Sequence, residues 1–148
     1  MTSLRSTPPF DAGETGDPRV CTVVICDDQP ALRDVIRLTL APARRFAVVA
    51  EAADAESCLE RVRETQPDVL ILDVNIPGGG PHVAAGAKDI HPGLHIVVFS
   101  GRADGAIECS MLAAGADQYV LKTGRIRPLL EAMDNFYEQI GAPAEKDS

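Results

Sequence analysis

Five polar side chains stand where short apolar runs stop. Asp27 and Asp28 follow the run Thr22–Cys26, Asp73 follows Val69–Leu72, Ser100 follows Ile96–Phe99, and Lys122 follows Tyr119–Leu121. If those runs are strands of one sheet, three carboxylates, a hydroxyl and an ammonium meet at a single rim. Carboxylates gathered in that way repel one another: at about 5 Å and an effective dielectric of about 20, each pair costs roughly 3 kcal/mol. A cation relieves that cost, and hard oxygen ligands select Mg²⁺. Lys122 brings a further positive charge and Ser100 a hydroxyl donor, a set suited to the equatorial oxygens of a phosphoryl group. No Cys or His occupies one of these rim positions, so a carboxylate must be the acceptor. Asp73 is the best placed, on the middle run and ahead of the flexible loop Pro77-Gly78-Gly79-Gly80-Pro81.

Such a convergence needs a scaffold, and the rest of the chain supplies its rhythm. The runs Thr22–Cys26, Ala47–Ala50, Val69–Leu72, Ile96–Phe99 and Tyr119–Leu121 are continuously apolar rather than alternating, the pattern of strands buried on both faces. Between them lie stripes of helical period: Leu32, Val35, Ile36 and Leu40; Ala55, Cys58, Leu59 and Val62; Val83, Ala87 and Ile90; Ala103, Ile107, Met111 and Ala114. The clearest runs from Ile126 through Leu129, Leu130, Met133, Phe136 and Tyr137 to Ile140. Pro30 suits a first helical turn, Asp54 an N-cap and Gly115 a helix C-terminus. Strand alternating with helix through five rounds predicts an α/β fold, a doubly wound parallel sheet with helices on both faces. Ligands of such sheets bind beyond the carboxyl ends of the strands, where the five polar groups fall. Residues 20–140 form the expected domain, 1–19 a flexible extension and 141–148 a short frayed tail.

Composition narrows the class. At 148 residues one domain is expected, and 45% hydrophobic with 24% charged residues excludes wholesale disorder. Trp is absent and aromatics make up 4%, so the core must be aliphatic. A formal charge of −8 argues against direct nucleic-acid contact, which wants clustered Lys and Arg. Cys21, Cys26, Cys58 and Cys109 show no Cys-x-x-Cys spacing and read as reduced thiols. No apolar run nears the roughly 18 residues of a membrane helix, and Met1–Arg19 lacks the apolar stretch of a signal peptide. A cytoplasmic protein without membrane contact is expected.

The segments VVICDDQPALR, VLILDVNIPGGG, VVFSGR and GADQYVLK together resemble the receiver domain of two-component response regulators. Each segment alone is weak; Asp-Asp, Asp, Ser and Lys at successive strand ends form a strong set. The resemblance covers Cys21 to Ile140 and implies a flavodoxin-like, five-stranded sheet of order 2-1-3-4-5. It makes Asp73 the phosphoacceptor. Asp28, Asp73 and the backbone carbonyl of Asn75 would coordinate Mg²⁺, with Asp27 contacting it through water. Ser100 would bind the phosphoryl group, and Tyr119, three residues before Lys122, matches an aromatic switch position. By the same resemblance, Asn75 and Arg102 would occupy places that tune dephosphorylation rate in that family. Many receivers follow the lysine with a cis proline. Thr123 stands here instead, and a cis bond before it would cost about 3 kcal/mol, so that geometry cannot be carried over.

The implied function is a stand-alone, non-enzymatic switch. Its phosphoryl donor would be a sensor histidine kinase or a phosphotransfer protein, and its output a downstream protein target. Helix four, strand five and helix five form the expected partner face, for that target or for a second copy. Two other readings compete. A haloacid-dehalogenase-type phosphatase also joins an aspartyl nucleophile with Ser, Lys and Mg²⁺, but there the acidic pair comes late, and Ala31 offers no oxygen ligand. A receiver-shaped binding module that works without phosphorylation is the other. Among single residues, an isolated Asp-Asp pair usually caps a helix, Tyr119 alone would be packing, and His82, His91 and His95 fit neither a zinc site nor a triad.

Overall fold

The computed structural model describes residues 19–146, with side chains to residue 140. In chain order the elements are β1 (Cys21–Cys26), α1 (Pro30–Leu40), β2 (Phe46–Ala52), α2 (Ala55–Thr65) and β3 (Val69–Leu72). There follow α3 (Pro81–Ile90), β4 (His95–Ser100), α4 (Gly105–Ala113), β5 (Gln118–Leu121) and α5 (Arg127–Lys146). All strand pairs are parallel, in the order β2-β1-β3-β4-β5. The sheet is therefore the doubly wound, flavodoxin-like one that the strand–helix rhythm and the resemblance implied.

Successive strand residues point to opposite faces. Val24, Cys26, Leu70, Leu72, Ile96 and Val98 enter one core with Cys58 and Val62 of α2, Val83 and Ala87 of α3, and Met111 of α4. Val23, Ile25, Val69, Ile71, Val97 and Phe99 enter the other with Ile36 and Leu40 of α1 and Leu129 and Met133 of α5. Two faces, each roofed by helices, explain why these strands read as unbroken apolar runs. The expectation fails for the two outer strands: β2 and β5 are mostly half-exposed because each has a neighbour on one side only. Leu70, fully buried on the central strand, shows the stake of this packing. Leu70→Ala should cost about 3 kcal/mol, read as a fall in urea midpoint with unchanged slope.

The helix ends obey local chemistry. Pro30 opens α1 at its first turn, and Asp54 caps α2 by accepting the Ser57 N–H at 2.8 Å. Gly115, at φ +123°, takes the chain out of α4 in a conformation that side chains resist. Three sequence expectations shift. Val35 lies on the outer side of α1, 46% exposed, while Ile36 and Leu40 carry the inward stripe. Ala103 precedes α4 rather than belonging to it. The last helix continues beyond Ile140 to Lys146. Residues 1–18 of the expected extension and 147–148 of the tail lie outside the described residues. Arg19 is anchored, its guanidinium on Asp68 at 3.0 Å and its carbonyl accepting from the Tyr137 hydroxyl at 2.7 Å.

Candidate functional site

The rim is assembled by register. Leu72 of β3 lies beside Cys26 of β1 and Val98 of β4, and Ser100 of β4 lies beside Leu121 of β5. The next residue along β1 is Asp27, along β3 Asp73 and along β5 Lys122, so parallel pairing alone delivers them to one edge. The ladder continues a step past the strands: the Asp73 N–H donates to the Cys26 carbonyl at 3.0 Å and the Lys122 N–H to the Ser100 carbonyl at 2.8 Å.

One ligand oxygen from each of Asp27, Asp28 and Asp73 falls within 4.8 Å of the others. Asp27 and Asp73 are buried, at 2% and 5% exposure, whereas Asp28 is open to solvent. Lys122 Nζ lies 2.8 Å from Asp27 Oδ2 and 3.0 Å from Asp73 Oδ2. Burial pulls the Lys122 ammonium toward neutrality, but the two carboxylates outweigh it and hold its pKa above the ordinary lysine value. The remaining oxygens have backbone donors: Asp27 Oδ1 accepts from the Gln29 N–H at 2.9 Å, and Asp73 Oδ1 from the Asn75 N–H at 3.1 Å. One ammonium against three carboxylates leaves the cluster short of positive charge. The donors are all hard oxygens, so the set fits a small divalent cation such as Mg²⁺.

Ser100 is wholly buried, with its hydroxyl accepting from the Arg102 N–H at 3.2 Å. Tyr119 stands apart from the acids: its hydroxyl donates to the Arg102 carbonyl at 2.7 Å, so both residues meet at the β4–α4 loop. Tyr119→Phe should loosen that loop by about 1 kcal/mol, seen as faster hydrogen exchange over residues 101–105 with the rest of the sheet unchanged. The peptide bond after Lys122 is trans, as are all the described peptide bonds, and the ammonium still reaches both carboxylates. The loop after Asp73 is a bonded turn rather than a loose one. The Gly79 N–H donates to the Ile76 carbonyl at 2.8 Å, and the Pro77 carbonyl accepts from the Ala55 N–H at 3.0 Å. A Cβ on Gly79 would sit 2.5 Å from the Val74 carbonyl oxygen.

The histidines stay out of the site. His95, for example, bonds Gln118 at 2.8 Å and stacks on Phe136. Three cysteines are buried, Cys109 is exposed, and all four are free. Burial, with Asp68 nearby, pushes the Cys21 thiol up to about 12, so it is no nucleophile. A groove of about 270 Å³ opens beside Lys122, lined by Leu32, Val35, Phe99 and Ile126 among others. Sequence reasoning missed Glu51, because the second strand was expected to stop at Ala50. Glu51 accepts from Arg33 Nε at 2.9 Å and also pairs with Arg37. The spacing of Arg33 and Arg37, one helical turn apart, was the available signal.

A rim of this design on a 2-1-3-4-5 sheet defines a class of signalling domain, and comparison with known proteins agrees. Residues 23–134 match the family model described as the response regulator receiver domain, and the chain belongs to that family. It is 32% identical over 113 residues to the nitrate/nitrite response regulator NarL of Escherichia coli, covering 76% of this chain and 52% of that protein. It is 31% identical over 112 residues to the transcriptional regulatory protein DegU of Brevibacillus brevis, covering 75% and 48%. The chain thus spans about half the length of these curated relatives. Among solved structures, the receiver domain of the putative response regulator NarL from Mycobacterium tuberculosis aligns with a TM-score of 0.75 and 29% identity, covering 82% of this chain and 98% of that one. A LuxR-family two-component response regulator from Aurantimonas gives 0.75 and 29%, covering 81% and 86%. No helix among the described residues is long and apolar enough to cross a membrane.

Proposed function

We propose that this chain is a cytoplasmic phosphorylation switch in which Asp73 accepts a phosphoryl group from a sensor histidine kinase or a phosphotransfer protein. The observation that carries the reading is the grouping of Asp27, Asp28 and Asp73 within 4.8 Å, with Lys122 bound to two of them. A carboxylate oxygen of Asp73 attacks phosphorus, the nitrogen–phosphorus bond of the donor phosphohistidine breaks, and its electron pair returns to the imidazole. Lys122 keeps its proton throughout and offsets the charge arriving at the rim. The Ser100 hydroxyl then turns to donate to a phosphoryl oxygen and in doing so releases the Arg102 N–H it accepts from. Because the Tyr119 hydroxyl holds the carbonyl of that same residue, a shift at Arg102 is felt on β5. That is how the altered state reaches the face of α4, β5 and α5, where a downstream protein or a second copy binds.

Asp27, Asp28, Asp73 and the carbonyl of Asn75 would hold Mg²⁺. When bound, the ion neutralises the carboxylates and the phosphoryl oxygens together. With a charge of −8, the receiver itself contacts protein rather than nucleic acid, and it acts as an acceptor rather than a turnover enzyme. The phosphatase alternative lacks support at the site. The three acids share one cluster, but α1 opens with Pro30-Ala31, which adds no oxygen ligand beyond the pair.

Mass spectrometry after incubation with acetyl phosphate tests the proposal. One phosphoryl group should be gained with Mg²⁺ and none with a chelator, and Asp27→Ala with Asp28→Ala should lose the gain as well. Multiple turnover on small phosphate esters, or a gain indifferent to Mg²⁺, would overturn it. The same ion should raise the thermal midpoint of the unphosphorylated protein, by about 2.7 kcal/mol of added stability at one hundred times its dissociation constant.

A further inference from the structure

The acid cluster depends on how one peptide is held. Asp27 is tied at three of its polar atoms by features already described or general to the sheet. Its N–H donates to the Ala52 carbonyl at 3.0 Å, and its carboxylate takes the Gln29 N–H and the Lys122 ammonium. Its own carbonyl lies beyond the paired part of β1. There Arg33 reaches back along α1 and donates Nη1 to it at 2.5 Å. The same guanidinium donates Nε to Glu51 on β2 at 2.9 Å, and Arg37 occupies the other oxygen of that carboxylate. Arg33 is mostly buried in this position, its side chain 18% exposed.

Asp28 makes this contact matter. Its exposed carboxylate has no partner among the described residues, so the backbone on its two sides places it within 4.8 Å of Asp27 and Asp73. On the helix side the Gln29 N–H is held by the Asp27 carboxylate, while the Gln29 side chain adds no cap. The Asp27–Asp28 peptide itself is held at its carbonyl, by a guanidinium clamped from the edge strand. We infer that Arg33 is a positioning residue for the metal-binding loop, acting through the Asp27 carbonyl, with Glu51 as its anchor. The inference rests on the Mg²⁺ reading above. It assigns work to two residues that touch neither ion nor phosphoryl group, as partners behind metal ligands commonly do.

Calorimetric titration of the full chain with Mg²⁺ alone is the test, with the thermal midpoint without metal measured alongside. Arg33→Met keeps the stem and loses the donors; its affinity for Mg²⁺ should fall about tenfold. Arg37→Ala breaks the same Glu51 cluster without touching the loop and should stay within about twofold of wild type. Arg33→Lys keeps the charge but cannot serve carboxylate and carbonyl with two fixed donors, so it should fall between them. Unchanged affinity in Arg33→Met, or an equal loss in Arg37→Ala, would reduce Arg33 to a strut between α1 and β2. If Arg33→Met does not fold, Arg33→Lys decides alone, and wild-type affinity there overturns the inference. A wild type that binds no Mg²⁺ removes the metal reading and this inference together; a wild type that binds beside an equally competent Arg33 variant removes only the latter.

Discussion

Asp73→Asn should gain no phosphoryl group from acetyl phosphate and should nonetheless melt higher than wild type in metal-free buffer. The first half follows from the acceptor role. The second follows from charge. Lys122 attracts Asp73 across 3.0 Å, worth about 5–6 kcal/mol at an effective dielectric of about 20. Asp27 and Asp28 repel it from within 4.8 Å, about 3.5 kcal/mol each on the same scale. The repulsions slightly exceed the attraction, and a carboxylate exposed by only 5% also carries a desolvation cost. Asparagine has a single acceptor oxygen, which serves Lys122 or the Asn75 N–H but not both, so part of the relief is given back. A net gain of about 1 kcal/mol, or about 3 °C, is expected by calorimetry. A variant that still gains mass would move the acceptor elsewhere; one that melts lower would mean Lys122 binds Asp73 more strongly than its neighbours repel it.

Lys122→Met should act in the opposite sense on stability. It leaves Asp27 and Asp73 buried, close together and without their cation, and breaking a buried pair typically costs about 3 kcal/mol or more. Mg²⁺ should restore part of that loss, because it supplies the missing charge. Phosphorylation by a small donor should slow by about a hundredfold, the scale on which removing one charge-stabilising donor acts. The pH dependence has a definite sign. The folded-state pKa of Lys122 lies above its ordinary 10.5, so its stabilisation is complete below that value and lost as pH rises through the raised one. Wild-type stability should therefore hold through neutral pH and fall in strong alkali, while the variant lacks that step. Chemical denaturation at several alkaline pH values, compared between the two, reads this directly, and parallel curves would sink the assignment.

Much of the rim was legible because a parallel sheet converts sequence position into spatial position. Asp27, Asp73, Ser100 and Lys122 each stand at or just past a strand end, so finding the strands located the cluster. The edges were harder to read. β2 was expected to be buried on both faces and to stop at Ala50, yet it runs to Ala52 and is half-open, since edge strands follow neighbours more than propensity. That error hid Glu51. Val35 misled in a similar way: a valine at helical spacing can face outward when Ile36 and Leu40 already fill the inward side. Arg33 lay inside a segment quoted for its family resemblance, but a guanidinium's reach to a backbone carbonyl leaves no trace in residue spacing.

The two banks of the rim differ in how much variation they can absorb. On the bank after Asp73, Gly79 is hemmed in by the Val74 and Ile76 backbone, so any larger residue there would displace the turn that follows the acceptor. On the opposite bank, a Cβ at Gly101 would meet nothing within 4 Å. Evolution or an engineer seeking a longer- or shorter-lived signal thus has one mouldable shore and one fixed one. Diversity should accumulate around Gly101 and Arg102, while Gly79 stays a glycine.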